Sequence, residues 1–265
     1  MPFHDAITLR NVAVGYDGTS VLEGLSWQVP ESAFVGVAGP SGAGKTTLIR
    51  LLTGQAEQHH GTVEVGGRPL DACTRRRIGY VPQLGAVDWD FPLRVEQAVL
   101  LGATADSRRL PWFSRRERAH AAGLLERLGI GGLARRHIRE LSGGQQQRMF
   151  LARAMIRSSD ILLLDEPTSG VDLATRRDIL ALLADLNADG LTVVLTTHDL
   201  NWVAAHLPHL ALLNGTIVRE GTPRQVLTPD ALLATYGARM RVVADADRVI
   251  VVDDDTIGAP AAVGL

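Results

Sequence analysis

Cysteine, lysine and aromatic residues are scarce in this chain of 265 residues. Cys73 is the only cysteine, so no internal disulfide can form, and this usage fits a reducing compartment. No apolar run approaches the roughly 18 residues that span a bilayer, and the first residues show no signal-peptide pattern. The charges of the acidic and basic residues nearly cancel and leave a net charge of −2. The chain therefore lacks the overall positive charge that attracts nucleic acid. We therefore expect a soluble, cytosolic protein that does not bind nucleic acid.

The remaining composition is that of a chain that folds around a core. Hydrophobic residues make up 46% and charged residues 21%, which excludes disordered and collagen-like chains. The length suits one large α/β domain or two small ones. Lys45 is the only lysine among 27 basic residues. Chance could place it there, but a site that needs a compact point charge would resist exchange for arginine.

The order of apolar runs predicts an α/β core. The loop Gly39–Gly44 follows a predicted strand, and the apolar residues Leu48, Leu51 and Leu52 follow the loop at helical spacing. A strand, glycine loop, helix and strand in this order predict a βαβ-type nucleotide-binding core. The predicted strands are Ile7–Val14, Leu25–Val29, Phe34–Ala38, Thr62–Val65, Ile78–Val81, Ile161–Leu164, Leu191–Thr197 and Leu210–Leu213.

Helical patterns predominate between residues 84 and 157. Ser114 and Glu117 form a capping box before an apolar stripe, Asp172 can cap a later helix, and Thr228-Pro229 can begin a short one. We predict a domain over 5–236. It consists of an α/β core (1–83 and 158–225) that is split by a helical insertion (84–157). Residues 237–265 are predicted to be a short C-terminal tail, with a strand-like run from Met240 and a solvated acidic run, Asp253–Asp255.

The first chemical motif is Gly39-Pro40-Ser41-Gly42-Ala43-Gly44-Lys45-Thr46, which fits G-x-x-x-x-G-K-[ST]. Glycines let backbone N–H groups converge on phosphate oxygens, and the helix that follows adds its positive N-terminal end. Lys45 would reach the β- and γ-phosphates, and the Thr46 hydroxyl would bind Mg²⁺. An accidental glycine loop is the alternative, but the flanking strand and helix supply the context that the motif requires.

The second motif is an apolar strand that ends in Asp165-Glu166. This arrangement predicts that Asp165 lies near Mg²⁺, and Glu166 could act as the general base for an attacking water. Acidic residues at strand ends are common, so the prediction depends on the glycine loop as well.

The third motif, Leu141-Ser142-Gly143-Gly144-Gln145, lies 20 residues before Asp165. Ser142 and the glycine N–H groups at a helix start would form a second anion site. A capped helix alone would explain Ser-Gly-Gly, but not the whole motif between two nucleotide motifs.

Together these motifs resemble those of the ATP-binding cassette (ABC) ATPases, over roughly residues 5–230. The resemblance implies a P-loop NTPase core, with a RecA-like mixed sheet flanked by helices. An N-terminal antiparallel β subdomain and an inserted α-helical subdomain complete the expected fold. It also implies ATP and Mg²⁺ as ligands, with ATP hydrolysis coupled to transport across a membrane.

The resemblance assigns further roles residue by residue. Tyr16 matches the aromatic residue that stacks on adenine, although it could be only a turn residue. Gln83 matches a glutamine that contacts Mg²⁺, and His198 matches a histidine that holds the γ-phosphate. Asp172 matches a loop that crosses a dimer interface, although a plain helix cap would also explain it. The residues assigned to ATP are Tyr16, Gly39, Pro40, Ser41, Gly42, Ala43, Gly44, Lys45, Thr46, Thr47, Ser142, Gly143, Gly144, Gln145 and Asp172. The catalytic assignments are Lys45, Gln83, Glu166 and His198, and those for Mg²⁺ are Thr46, Gln83 and Asp165.

The family also implies partners. Two cassettes would close head to tail around two ATP molecules, and separate permease subunits would supply the membrane spans. A separate substrate-binding protein is also expected. The chain would then be cytoplasmic and peripheral on the inner face of the membrane.

The main clue to the cargo is the segment Gly85–Pro92, which resembles cassettes of manganese, zinc and iron importers. Leu207–Asn214 and Val226–Pro229 are also similar to that subfamily. Docking to some other membrane protein would equally explain Trp89 and Phe91. Three functions therefore stay open: metal import, transport of another cargo (a siderophore- or cobalamin-type importer or an exporter), and a soluble non-transport cassette. The histidines, among them His59 and His60, are expected to serve as polar turn, helix-end or phosphate-binding residues rather than as a transition-metal site.

Overall fold

A computed structural model describes residues 5–16, 18–104, 113–245 and 248–253. Within these residues the strands are β1 (Asp5–Tyr16), β2 (Thr19–Pro30), β3 (Phe34–Ala38), β4 (Glu57–Val65), β5 (Arg68–Pro69), β6 (Ile78–Val81), β7 (Ile161–Asp165), β8 (Thr192–Thr197), β9 (His209–Asn214), β10 (Thr216–Gly221), β11 (Met240–Asp245) and β12 (Arg248–Asp253). The α-helices are α1 (Lys45–Thr53), α2 (Val95–Leu101), α3 (Arg115–Arg127), α4 (Gly143–Met155), α5 (Leu173–Ala188), α6 (Leu200–His206), α7 (Pro223–Val226) and α8 (Pro229–Tyr236).

The central sheet has six strands in the order β10-β9-β3-β8-β7-β6. Five of them are parallel, and β10 joins the edge antiparallel to β9. Its strands read as continuous apolar runs because both faces of this sheet are buried. The register pairs Ala38 with Thr197 and Asp165 with Thr196. The carboxyl ends of β3, β7 and β8 therefore meet at one edge of the sheet, where ligands of open α/β sheets bind.

The N-terminal sheet is antiparallel, in the order β2-β1-β4-β5. Its buried residues share one hydrophobic cluster with α1 and with β3, β7 and β8. The predicted helical stripe of Leu48, Leu51 and Leu52 is confirmed, since all three side chains are buried in this cluster. Both sheets and α1 thus pack around the loop that precedes α1.

The predicted strands form, but β2 and β4 of this sheet begin earlier than expected. β4 was predicted over Thr62–Val65 and begins at Glu57, because its first residues are exposed and leave no apolar pattern. Backbone hydrogen bonding to β1 extends the strand there. A similar difference applies to β2, which was predicted over Leu25–Val29 and begins at Thr19.

Helices α2, α3 and α4 lie between β6 and β7 along the chain and pack around buried apolar side chains. The predicted capping box at α3 is confirmed, since Ser114 N–H donates to Glu117 Oε2 at 2.7 Å. Trp89 lies edge-on to Phe150, with ring centroids 5.8 Å apart, and its indole N–H donates to Leu84 O. Trp89 therefore anchors the segment after β6 to α4.

The predicted helix after Thr228 is confirmed as α8, which has Pro229 in its first turn. The chain then forms a hairpin of β11 and β12, where we predicted only a strand-like run and a solvated acidic tail. Val249 and Val251 are buried, and the Asn201 side chain in α6 bonds both backbone groups of Val251. Asp254 and Asp255 lie outside the described residues.

Across the described part of the chain, none of the helices combines the length and hydrophobicity that membrane crossing requires.

Candidate nucleotide-binding site

The site is centred on the loop between β3 and α1. Gly42 and Gly44 both have positive φ, at 82° and 98°, which lets the loop turn tightly into the helix. A Cβ on Gly39 would lie 2.1 Å from Leu213 O, so only glycine fits against β9. The loop thus directs the unbonded N–H groups of the first turn of α1 toward one point, which favours an anion.

Lys45 lies in this first turn and is only 9% exposed. Its Nζ donates to Gly39 O at 2.7 Å and to Pro40 O at 2.9 Å. An ammonium has three donors, so one remains for a phosphate oxygen. Burial lowers the pKa of the Lys45 ammonium, while the charges of Glu166 and Asp165 oppose this shift.

A second set of side chains comes from the ends of β7 and β8. Asp165 Oδ2 accepts from Thr46 Oγ1 at 3.4 Å, and Asp165 Oδ1 accepts from Thr196 Oγ1 at 2.6 Å. Two hard oxygen ligands, a hydroxyl and a carboxylate, thus converge beside the glycine loop. Mg²⁺ is bound in proteins by one or two carboxylates plus waters and substrate phosphates, so these residues fit that ion.

Glu166 follows Asp165 with a positive φ of 45°, a sparsely populated conformation for a residue other than glycine. Its carboxylate lies between two predicted site residues. Gln83 Nε2 is 3.4 Å from Glu166 Oε2, and His198 Nδ1 is 3.3 Å from Glu166 Oε1. The structure therefore brings Lys45, Thr46, Gln83, Asp165, Glu166 and His198 together at one edge of the sheet.

Thr196 is a site residue that sequence reasoning missed. Its Oγ1 also accepts the Glu166 N–H at 3.1 Å, so one hydroxyl orients both acidic residues. A sequence signal for Thr196 does exist. It is a polar residue at the end of a buried parallel strand, where it pairs with Asp165. Tyr16 ends β1, and its hydroxyl is 3.5 Å from Arg50 Nη1 in α1, a second contact that the motifs did not reveal.

The Ser142–Gln145 segment lies apart from this cluster. Ser142 caps α4 as predicted: its N–H donates to Gln145 Oε1 at 3.0 Å, and its Oγ accepts from Gln145 N. A Cβ on Gly143 would lie 3.3 Å from Val171, and one on Gly144 would lie 3.0 Å from Thr175. Among the described residues, no hydrogen bond joins this segment to the glycine loop of its own chain.

Asp172 caps α5, as predicted. Its Oδ1 accepts from Ala174 N and Thr175 N, and its Oδ2 accepts from the Thr175 hydroxyl at 2.6 Å. The hydrogen bonds from Thr175 are the main cause that lowers the pKa of the Asp172 carboxyl. Asp172 is therefore ionised at neutral pH and fixed at the exposed start of the helix.

The histidines that the structure describes lie in separate places. His60 Nδ1 lies 2.9 Å from Asn11 O, and His206 Nδ1 lies 2.9 Å from Trp202 O. Within the described ranges, no group of three or more His, Cys, Asp or Glu residues is arranged to hold a metal ion.

A glycine loop that leads into a helix, opposite an acidic strand end in a parallel sheet, defines a P-loop nucleotide-binding protein. Residues 22–169 match the family model described as ABC transporter. The manganese transport system ATP-binding protein MntB of Bacillus subtilis is 40% identical over 239 residues, 90% of this chain and 95% of that protein. The zinc transport system ATP-binding protein TroB of Treponema pallidum is 40% identical over 89% of this chain and 88% of that protein.

A solved structure assigned as a metal-chelate type ABC transporter, in an inward-facing conformation, superposes with a TM-score of 0.77. It is 30% identical and covers 93% of this chain and 96% of its own. The chain belongs to the ABC transporter family and is one of its ATP-binding, ATP-hydrolysing subunits.

Proposed function

We propose that this ATPase subunit powers the import of a divalent metal ion, namely manganese, zinc or iron. The observation that carries the proposal is the 40% identity to ATP-binding proteins named for manganese and for zinc transport. That identity extends over 90% and 89% of the chain, well beyond the nucleotide motifs. The segment Gly85–Pro92, which resembles metal importer cassettes, also supports this cargo.

Within the site, Lys45 and the loop N–H groups would bind the phosphates, and Tyr16 would stack on adenine. Thr46 and Asp165 would hold Mg²⁺, with Gln83 beside them. When bound, magnesium would neutralise negative charge on the oxygens of the phosphoryl group that is transferred. The convergence of the Thr46 and Asp165 oxygens, 3.4 Å apart, supports this assignment.

Glu166 is proposed as the general base, because its carboxylate lies at the sheet edge next to His198 and Gln83. A carboxylate oxygen would take a proton from the attacking water as the water oxygen bonds to the γ-phosphorus. The bond from that phosphorus to the β–γ bridging oxygen would break, which releases ADP and phosphate. His198 would hold the γ-phosphate, and its contact with Glu166 Oε1 would keep both groups on the same side of the nucleotide.

The Ser142–Gln145 segment would serve the site of a second copy. The start of α4 offers N–H groups and the positive end of a helix, which favour an anion, yet the glycine loop of the same chain is not bonded to it. Two chains related head to tail would place each Ser142 at the γ-phosphate of the other copy. Asp172, at the adjoining start of α5, would lie at the same interface.

A permease is the proposed membrane partner, and the surface after Gln83 offers a place for it. Phe91 is 53% exposed beside an apolar cavity of about 200 Å³ that Phe150 and Arg153 also line. A neighbouring cavity of about 370 Å³ is lined by Arg75, Arg76, Arg153 and Arg157 among others. A permease segment with apolar and acidic residues would fit both. The cassette would then be peripheral on the cytoplasmic face, with a separate binding protein delivering the metal.

Uptake of a metal chelate is a second candidate, because a metal-chelate type transporter superposes at 30% identity over 93% of the chain. Its ATPase chemistry would be the same, and only the cargo would differ.

Affinity purification of tagged Glu166→Gln protein from its own cell's solubilised membranes, in the presence of ATP, tests the transport role. We expect a multi-span permease to copurify. Recovery of a soluble dimer alone, ribosomes or nucleic acid would contradict transport and leave the ATPase assignment intact.

Total cellular manganese, zinc and iron, measured by mass spectrometry in cells that carry wild-type or Glu166→Gln protein, tests the cargo. We expect the variant to lower one of these metals when the free ion is limiting. Loss of uptake only when the metal is supplied as a chelate would favour the second candidate.

A further inference from the structure

Asp199, the residue that follows His198, makes three hydrogen bonds that fix its position. Asp199 N–H donates to Thr197 Oγ1 at 3.1 Å, and Asp199 Oδ1 accepts from Trp202 N at 3.0 Å, which caps α6. Asp199 Oδ2 accepts from Arg176 Nη1 of α5 at 3.2 Å. The first two contacts are local, whereas the third joins two separate elements of the chain.

His198 depends on this support because its own side chain is 65% exposed. Its side-chain contact is to Glu166 Oε1 at 3.3 Å. Little packing therefore holds the imidazole, and its position follows from the backbone on each side of it. Thr197 provides one side as the buried end of β8, and Asp199 provides the other.

Arg176 connects this point to the start of α5. Its backbone N–H donates to Asp172 O at 2.9 Å, so it belongs to the first turn of the helix. Its side chain is 27% exposed, and its Nε is buried without a hydrogen-bond partner in the structure. The guanidinium is thus partly desolvated, and it pairs with the Asp199 carboxylate, whose side chain is 39% exposed.

The start of α5 is open to contact with another molecule. Leu173 is 73% exposed, the highest value among the exposed large hydrophobic side chains of the described residues. Val171 and Thr175 flank it and lie against Gly143 and Gly144 at the start of α4. Any contact made there acts directly on the first turn of α5, which carries Arg176.

We propose that Arg176 is a positioning residue that couples the start of α5 to His198 through its ion pair with Asp199. Docking of a second copy against Asp172 and Leu173 fixes the first turn of α5, and Arg176 passes that constraint to the backbone beside His198. The inference depends on the roles proposed above for His198 and for the second copy.

Steady-state ATP hydrolysis by the full chain tests this ion pair. Arg176→Ala removes the donor, and Asp199→Asn removes the charge while keeping a residue that can cap α6. We expect each to lower kcat about tenfold, which corresponds to about 1.4 kcal/mol, with KM for ATP changed by less than about twofold. The double variant should lose no more than either single variant, because both remove the same interaction.

Matched variants separate positioning from folding. Arg177→Ala removes the same charge from the adjacent position of α5 and should keep kcat and the melting temperature of the wild type. Arg176→Lys should recover most of the lost kcat, since an ammonium can still pair with Asp199. Two results would overturn the proposal. One is a double variant in which the fold loss of kcat equals the product of the fold losses in the two single variants. The other is an Arg177→Ala variant that is as slow as Arg176→Ala.

The His198→Ala variant distinguishes a failure of the proposed role of His198 from a failure of the positioning role of Arg176. If it hydrolyses ATP as fast as the wild type, the proposed role of His198 fails and the positioning role fails with it. If His198→Ala is inactive while Arg176→Ala matches the wild type, only the positioning role is overturned.

Discussion

The two predicted anion sites of this chain differ in how many of their side chains the structure brings together. At the carboxyl edge of the central sheet, Lys45, Thr46, Asp165, Glu166 and His198 converge, and hydrogen bonds or ion contacts link most of them. At the start of α4, the Ser142 side chain caps its own helix, and the neighbouring Gly143 and Gly144 lie beside Val171 and Thr175.

This difference separates two parts of the chemistry. The first region holds the groups that we propose bind phosphate and move a proton, and all of them belong to one chain. The second offers the N–H groups of a helix start that lies apart from the glycine loop, which fits its proposed role at the site of a second copy. Substitutions in the two regions should therefore fail in different ways.

The largest effect is expected in the first region. Glu166→Gln removes the proposed base but keeps the shape of the side chain, so hydrolysis should fall by at least about 100-fold. ATP binding should persist, and the closed dimer should accumulate, as measured by size-exclusion chromatography with ATP. Asp185→Asn, an exposed change in α5, serves as the control. Unchanged turnover in Glu166→Gln would show that Glu166 is not the base.

Ser142→Arg tests the second region. Binding of ATP to the isolated chain should be unchanged, whereas hydrolysis should be abolished because the new side chain would occupy the γ-phosphate position of the other copy. Ser114→Arg is a close control, since Ser114 caps α3 with the same capping box. It should cost only about 1 kcal/mol of stability. Normal hydrolysis by Ser142→Arg would exclude the two-copy arrangement.

A smaller effect is expected when the support of the first region is weakened. Thr196→Val keeps the volume but leaves Asp165 Oδ1 and the Glu166 N–H without their partner in a position that is 1% exposed. Stability should fall by about 2 kcal/mol, and kcat should fall about tenfold. Thr235→Val removes a buried hydroxyl bond to Ala231 O in α8 and should lower stability alone. Equal kcat values in the two variants would argue against an orienting role of Thr196.

The smallest effect concerns the protonation of Lys45. Because burial lowers its pKa from the ordinary 10.5, more of its amine is neutral at pH 9 than in an exposed lysine. The rate of acylation of Lys45, measured by mass spectrometry over a range of pH, should therefore show its inflection at a lower pH than the rate for a lysine model compound. ATP should protect Lys45 and leave the amino terminus reactive. Equal labelling with and without ATP, in an enzyme that stays fully active, would contradict the proposed phosphate contact.

Local patterns were enough to predict several elements. The capping residues Ser114, Ser142 and Asp172 begin helices as expected, because each bonds N–H groups within three residues of itself. Apolar runs predicted the central strands, because burial on both faces of a strand leaves an uninterrupted apolar pattern in the sequence. Exposed strand residues such as Glu57, and the packing of the hairpin on α6 through Asn201, left no such pattern.

The sequence by itself determined the family and predicted which groups would contact phosphate, because glycine loops and acidic strand ends act through residues close together in the chain. Only the tertiary structure decided which distant residues support them. Thr196 meets Asp165 because parallel strands place their carboxyl ends side by side. Arg176 meets Asp199 because α5 packs beside the strand end that precedes α6. Such contacts depend on the register of the sheet and on helix packing, and neither leaves a local pattern along the chain.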